Sequence, residues 1–170
     1  ETRYRTLVEQ VPAAVYIDAP NQNLNSGVYI SPQIETISGY SPSEWLSTRG
    51  FWPSIIHPDD LERFTIENDR ANTTGESFDE EYRIIHKNGG IVWVRDMATL
   101  TRDVDGSHMY WHGILDDITA QKNFQESLRF SEDRFQKVFD ASPIAICIST
   151  IENGEFMDVN ESYLRLSGYR

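Results

Sequence analysis

The sequence predicts an α+β fold, an antiparallel β-sheet with helices packed on one face. Three features carry this reading. Two short β-prone runs, Val15-Tyr16-Ile17 and Val28-Tyr29-Ile30, flank a turn-rich segment. A series of short helix signals follows. Three alternating runs at 78–86, 91–100 and 108–116 then close the unit, joined by hairpin signals. Consecutive hairpin-linked strands after a helical insert form an antiparallel sheet that must bury one face under helices.

The elements follow in order. Residues 2–10 fit an amphipathic helix with Tyr4, Leu7, Val8 and Val11 on one side, stopped by Pro12. Asn21, Asn23, Asn25 and Gly27 supply turn chemistry between the first two strands. Ser31 is the expected N-cap of a helix with Pro32 in its first turn, Ile34, Ile37 and Tyr40 on its apolar side, and Gly39 at its end. Ser41-Pro42-Ser43-Glu44 repeats the start signal for a helix carrying Trp45 and Leu46, and Phe51, Trp52, Ile55 and Ile56 form an apolar cluster. His57-Pro58-Asp59-Asp60 opens a helix over 61–72, its carboxylates at the positive end of the helix dipole, and Gly75 lies past its end. Asn88-Gly89 predicts a tight hairpin turn with both central residues at positive φ, and Asp103-Val104-Asp105-Gly106 predicts another turn. The expected interior includes Val15, Ile17, Ile30, Ile34, Ile37, Phe51, Ile55, Ile56, Leu61, Phe64, Tyr82, Ile84, Val92, Val94, Leu100, Trp111 and Leu115.

Composition narrows the function. The 170 residues are 39% hydrophobic and 12% aromatic, enough apolar area for a packed core. A net charge of −12 argues against binding nucleic acid or anionic lipid, which calls for a basic surface. No apolar run reaches the roughly 20 residues of a membrane span. A single cysteine, Cys147, excludes an intramolecular disulfide and a thiolate-rich zinc site, and fits a reducing, cytoplasmic setting. The sequence shows no phosphate loop, nucleophile elbow or metal-binding helix pair, so it is read as non-catalytic.

The chain repeats its own beginning. RYRTLVEQVP at 3–12 matches RFQKVFDASP at 134–143, and each copy continues through a β-prone run to Ser-Gly-Tyr, at 38–40 and 167–169. Pro to Gly spans 27 residues in the first copy and 25 in the second. The expected organisation is one domain over residues 1–120, a connecting helix over 121–141 and the truncated start of a second domain over 142–170. That last stretch is too short to close a core alone and is expected to pack on something or to be poorly ordered.

Ser-Gly-Tyr-Ser at 38–41, Trp52 with His57-Pro58-Asp59-Asp60, Glu81-Tyr82-Arg83, Lys87-Asn88-Gly89-Gly90, Val92-Trp93-Val94, and Gly113 leading to Asp117-Ile118-Thr119 resemble a PAS domain with its C-terminal PAC segment. The resemblance covers roughly residues 3–122, and residues 134–170 resemble the start of a second PAS domain. It implies a five-stranded sheet of order 2-1-5-4-3 and a sensory, dimerising role upstream of a histidine kinase, diguanylate cyclase or cyclic-di-GMP phosphodiesterase. It also implies an interior able to hold haem, flavin or a small metabolite. The candidate lining is Ile30, Ile34, Ile37, Trp52, Ile56, Phe64, Tyr82, Val94 and Trp111, with Trp45 and Trp93 as further aromatic candidates; side chains alone could also fill this space.

Particular cofactors demand particular residues. A cysteinyl-flavin adduct needs a cysteine beside the ring, and residues 41–75 contain none. Haem-binding members of the family the chain resembles usually take an axial histidine from the long helix, and residues 61–75 contain none. His57 reads as a capping residue. His108 and His112 lie on a strand, where four residues at about 3.3 Å each separate them by roughly 13 Å, too far to share a metal. A non-covalent flavin needs only an aromatic-lined cavity with a few polar groups, and the residues are compatible with it; no cofactor is required.

Asp117-Ile118-Thr119 should end the sheet and begin a helix with Thr119 as N-cap, and the family resemblance places signal coupling there. Phe124, Leu128, Ser131, Phe135 and Val138 follow at spacings of 4, 3, 4 and 3, a heptad seam with one polar interruption. The sharper expectation is a parallel coiled coil in a homodimer; the plainer one is a helix packed on its own domain. Two functional classes remain open on the sequence: a sensor module in a multidomain signalling protein, and a ligand-free interaction module.

Overall fold

The structure, a computed structural model, describes residues 11–19, 27–47, 50–102 and 109–168. The expected helix at 2–10, the hairpin residues Asn21, Asn23 and Asn25, the 103–106 turn and His108 lie outside the described residues. The chain divides into two compact units, Glu1–Ala120 and Gln121–Arg170.

The first unit holds β1 (Ala14–Asp18), β2 (Gly27–Ile30), α1 (Gln33–Ser38), α2 (Pro42–Ser47), α3 (Phe51–Ile55), α4 (Pro58–Thr74), β3 (Phe78–Ile85), β4 (Ile91–Arg102) and β5 (Met109–Asp117). The five strands form one antiparallel sheet in the order β2-β1-β5-β4-β3. The core lies between one sheet face and the helices. Ala14, Ile30, Phe78, Tyr82, Ile84, Val94, Ala98, Trp111 and Leu115 pack there against Ile34, Ile37, Trp52, Ile55, Ile56, Phe64 and Ala71. Each large side chain buried in this way contributes about 1.5–3 kcal/mol.

The inward face of β1 differs from the expectation. Ala14 is fully buried and Tyr16 packs on the core, whereas Val15 and Ile17 project from the opposite face. Alternation in a strand allows only one of the two sets inside. Tyr16 is the one taken in because its hydroxyl meets a buried acceptor, described below. Its ring crosses Gly113, its cross-strand partner in β5, and a Cβ at that position would run into the ring.

Helix boundaries follow the local chemistry. Ser41 and Glu44 form a reciprocal capping box at α2: the Glu44 amide donates to Ser41 Oγ (3.3 Å) and the Ser41 amide to Glu44 Oε2 (2.9 Å). Gly39 ends α1 at φ +78°, where a side chain would also strike His86. His57 caps α4, accepting the Asp59 amide on Nδ1 at 3.3 Å. Ser31 does not cap α1. Its hydroxyl accepts the Val15 amide (3.0 Å) while its own amide donates to the Val15 carbonyl (2.8 Å), so it fastens β1 to the end of β2. The β3–β4 turn is also not the expected two-residue Asn-Gly turn. The Gly89 amide donates to the His86 carbonyl (2.7 Å) and the His86 amide to the Gly90 carbonyl (2.8 Å). Lys87 and Asn88 are therefore the central residues, and only the following Gly89 carries the positive φ, +89°, of a bulged three-residue loop.

The second unit begins within α5 (Thr119–Ala141) and continues through β6 (Cys147–Ser149), β7 (Phe156–Val159) and α6 (Glu161–Ser167). Its ordering device is Asn160, fully buried. Its side chain accepts the Ile146 and Tyr163 amides, both at 2.9 Å, and donates to the carbonyls of Phe139 and Ile144. Its amide donates to the Ile146 carbonyl at 3.1 Å. Asn160 stands in the repeat where Ser31 stands in the first copy, and Ile146 where Val15 stands. The same fastening of first strand to second is made twice, and the longer amide side chain also caps the following helix. The short segment after residue 142 thus packs onto the end of α5 by hydrogen bonds, while Ile144, Ile151, Phe156, Met157 and Leu166 stay exposed.

Candidate ligand core and signalling junction

All nine residues expected to line an interior site, Ile30, Ile34, Ile37, Trp52, Ile56, Phe64, Tyr82, Val94 and Trp111, are buried together in the first unit. The rings of Phe64, Tyr82 and Trp52 are in contact, and Trp45 joins them. Phe64 meets Tyr82 edge-on at 5.0 Å between centroids, Trp52 meets Tyr82 at 6.1 Å, and Trp45 leans on Trp52 at 4.2 Å. Trp111 enters from β5 and donates its indole N–H to Asn72 on α4 at 2.9 Å. Trp93 does not join them. Its neighbour Val94 faces inward, so Trp93 lies on the other sheet face, beneath the guanidinium of Arg83 at 5.5 Å.

The centre of this interior is polar, which the sequence reading missed. Asp96, on β4, is almost wholly buried and accepts two phenol hydrogen bonds, from Tyr16 on Oδ1 and Tyr82 on Oδ2, each 2.7 Å. The Trp52 indole N–H donates in turn to the Tyr82 oxygen at 2.8 Å. Among the described residues no lysine or arginine pairs with this carboxylate. Burial pushes the Asp96 carboxyl up to about 6, against the two tyrosine bonds that favour its charged form. Asp18, half-buried at the end of β1, is pushed up to about 6 by burial and then by the Asp96 charge. Burial and the same charge hold both tyrosines well above the usual phenol range. The signal was present in the alternation of β4, where Val94, Asp96 and Ala98 share the inner face.

A second missed feature ties α4 to the sheet. Asp60 receives the Arg83 amide (2.9 Å), its Nε (2.9 Å) and its Nη2 (2.7 Å). The Arg83 side-chain bonds hold the Asp60 carboxyl down at about 2. The His57 amide donates to the Arg83 carbonyl at 2.8 Å, and Ile56 bridges Ile84. Asp60 stands with Asp59 in the first turn of α4, as expected, and is in addition the receptor of Arg83.

The three residues expected at the junction lie where β5 passes into α5. The Ile118 amide donates to the Trp93 carbonyl and the Trp93 amide to the Thr119 hydroxyl, both at 2.9 Å. Ile118 itself is buried. Thr119 does not act as the cap; Asp117 does, accepting the Thr119 amide on Oδ1 at 2.9 Å. The Thr119 oxygen is taken by Trp93, so both polar groups of one β4 residue hold the helix start. Further along α5, Phe124, Leu128, Phe135 and Val138 are all exposed, at 71%, 50%, 54% and 66%. Phe139, outside the expected seam, is buried within the second unit.

The PAS fold profile matches residues 27–115, and a PAS domain profile matches residues 133–170. The chain belongs to the PAS family. PAS is a sensory, non-catalytic fold. The chain is 34% identical over 107 residues to the methyl sulfide methyltransferase-associated sensor of Methanosarcina acetivorans, covering 62% of this chain and 10% of that protein. It is 27% identical over 154 residues to the two-component sensor PprA of Pseudomonas aeruginosa, covering 88% of this chain and 16% of that protein. It also superposes on the N-terminal domain of a diguanylate cyclase with PAS/PAC sensor from Marinobacter aquaeolei, with a TM-score of 0.56 and 26% identity, over 65% of this chain and 98% of that one. The chain spans less than a fifth of the length of the curated relatives it matches. No helix among the described residues is long and apolar enough to cross a membrane.

Cofactor chemistry can be set against this PAS interior. The long helix α4 carries no histidine to reach a haem iron, and Cys147 lies exposed on β6 of the second unit, so the residues fit neither haem ligation through α4 nor a cysteinyl-flavin in the first unit.

The titrating groups fix the pH dependence of stability. Asp96 and Asp18 bind a proton more tightly folded than unfolded, so their contribution is complete below about 4 and lost as pH rises through about 6. Asp60 acts in the opposite sense: its contribution stands above about 4 and is lost as pH falls through about 2. The urea unfolding midpoint should therefore be highest near pH 4–5 and lower at pH 8, by an amount worth on the order of 1–3 kcal/mol. A midpoint that is flat or rises from pH 5 to pH 8 contradicts this reading.

Proposed function

We propose that the first unit is the sensory PAS module of a multidomain signal-transduction protein, of the histidine kinase or cyclic-di-GMP type, that passes the state of its sheet through Asp117, Ile118 and Thr119 to the helix α5. The observation that carries this reading is the double hold of Trp93 on Ile118 and Thr119. A shift of β4 that keeps these two bonds moves the start of the helix with it. The sensor relatives support the signalling role, and the buried core beside β4 is the place where a stimulus or small ligand would act.

The module dimerises through α5. Phe124, Leu128, Phe135 and Val138 recur at heptad spacing and are exposed on a 23-residue helix, an arrangement suited to a parallel partner helix of a second copy. So much exposed aromatic and aliphatic surface on one helix is costly in water unless it is covered.

Replacing Thr119 by Val removes the acceptor of the Trp93 amide while keeping the side-chain shape. Hydrogen exchange at the Trp93 and Ile118 amides should accelerate about 5–30-fold, in line with a loss of about 1–2 kcal/mol, with the rest of the sheet unchanged. Unchanged exchange at both amides would remove the junction from its proposed role. Separately, Phe124→Asp with Leu128→Asp should convert dimers to monomers in sedimentation velocity; a dimer that survives both substitutions rules out the seam.

A further inference from the structure

We propose that Asp96, with Tyr16 and Tyr82, is a proton-responsive centre, so that the stimulus read by the first unit is the proton itself. The proposal rests on the sensory reading above and names the stimulus that reading leaves open.

The arrangement of groups supplies the mechanism. As a carboxylate, Asp96 offers only acceptors, and it takes one phenol O–H on each oxygen. Uptake of one proton from water converts it to a carboxylic acid with one O–H to place. Tyr82 is poorly suited to receive it, because its oxygen already accepts the Trp52 indole N–H while donating to Oδ2. Tyr16 has acceptor capacity, so the new O–H forms on Oδ1 and donates to the Tyr16 oxygen. The Tyr16 hydroxyl hydrogen must then turn away. No bond other than the new O–H is formed, and no further reactant is needed.

The surroundings favour this event near neutrality. From β1, Tyr16 and Asp18 face the carboxyl, and Asp18 adds a like charge. From β3 comes Tyr82, with the Asp79 charge acting in the same repulsive sense. From α3 comes Trp52, which is uncharged. The inward residues of β5, Trp111, Gly113 and Leu115, bring no titrating group, and those of α1 and α4, Ile34, Ile37 and Phe64, are apolar. Asp60 on α4 is engaged by Arg83. Glu80, directly opposite Asp96 on β3, is ion-paired with Arg63 of α4, and Asp79 with Arg95, the neighbour of Asp96 on β4. The charges of Asp79 and Asp18 act on Asp96 in the sense that promotes proton uptake. The response has a short path outward, since Asp96 and Trp93 lie on the same strand and Trp93 holds Ile118 and Thr119.

The test is an NMR titration of the whole 170-residue chain from pH 8 to pH 4.5, following the Asp96 carboxyl carbon, the Trp52 indole N–H, and the Ile118 and Thr119 amides. The Asp96 carbon and the Trp52 indole should shift together with a midpoint near 6, and Asp96→Asn should abolish the Trp52 transition. Should Asp96→Asn fail to fold, Tyr16→Phe serves: it removes one bond to the charged form and should raise the midpoint by about one unit. An Asp96 carbon that titrates near 4, or a Trp52 transition that persists in Asp96→Asn, overturns the proposal and leaves the sensory reading intact. A joint transition at Asp96 and Trp52 with no response at Ile118 and Thr119 supports the proton site and counts against the sensory reading.

Discussion

One carboxylate sits in the middle of the first unit, held among the described residues by phenol hydroxyls alone. Asp96 is buried, and an ionised group in that position is tolerated only if its lone pairs are occupied. Two tyrosines occupy them, one from β1 and one from β3, and a tryptophan from α3 holds the second tyrosine. Three strands and one helix are thereby referred to a single acceptor. The choice of inward face on β1, the glycine at 113 and the aromatic roof around Tyr82 all follow. Tyr16 must reach Asp96, so its ring must cross β5 where there is no side chain.

β4 connects this interior with the edge of the domain. Its inner face carries Val94, Asp96 and Ala98; its outer face carries Trp93, held under Arg83 and bonded through both backbone polar groups to the start of α5. Arg83 is in turn anchored to α4 by Asp60. A helix on the core side, two strands and the exit helix therefore form a continuous set of directed bonds. Directed bonds of this kind transmit displacement better than apolar packing does, because each has a preferred distance and angle. This is the physical basis for reading a PAS domain of this sequence as a sensor with an outlet at residues 117–119.

Much of the fold was legible because its signals are local. The Ser41–Glu44 capping box, the glycines ending α1 and α4, and the alternation of β3 to β5 each lie within a few residues of what they specify. The repeat was legible as well, and its structural meaning is concrete: Ser31 and Asn160 make the same fastening in the two copies. What was not legible depends on partners far apart in sequence. Hydrophobicity alone turns Val15 and Ile17 inward, and only the hydroxyl of Tyr16, 80 residues from Asp96, reverses the face. Asp60 reads as a helix-start charge until Arg83, 23 residues on, is folded beside it. The nine lining residues were recognisable as apolar, but the polar centre among them was not, since a lone aspartate in a strand is ordinarily a solvent-facing residue.

The claim on which the rest stands is that Tyr16 and Tyr82 act on one shared carboxylate. A double-mutant cycle of Tyr16→Phe and Tyr82→Phe, read by urea unfolding at pH 8, measures it directly. The two effects should be non-additive by more than about 0.5 kcal/mol, as expected for groups in one hydrogen-bonded network. Strict additivity would mean that the two tyrosines stabilise the domain independently, and the shared centre would not exist.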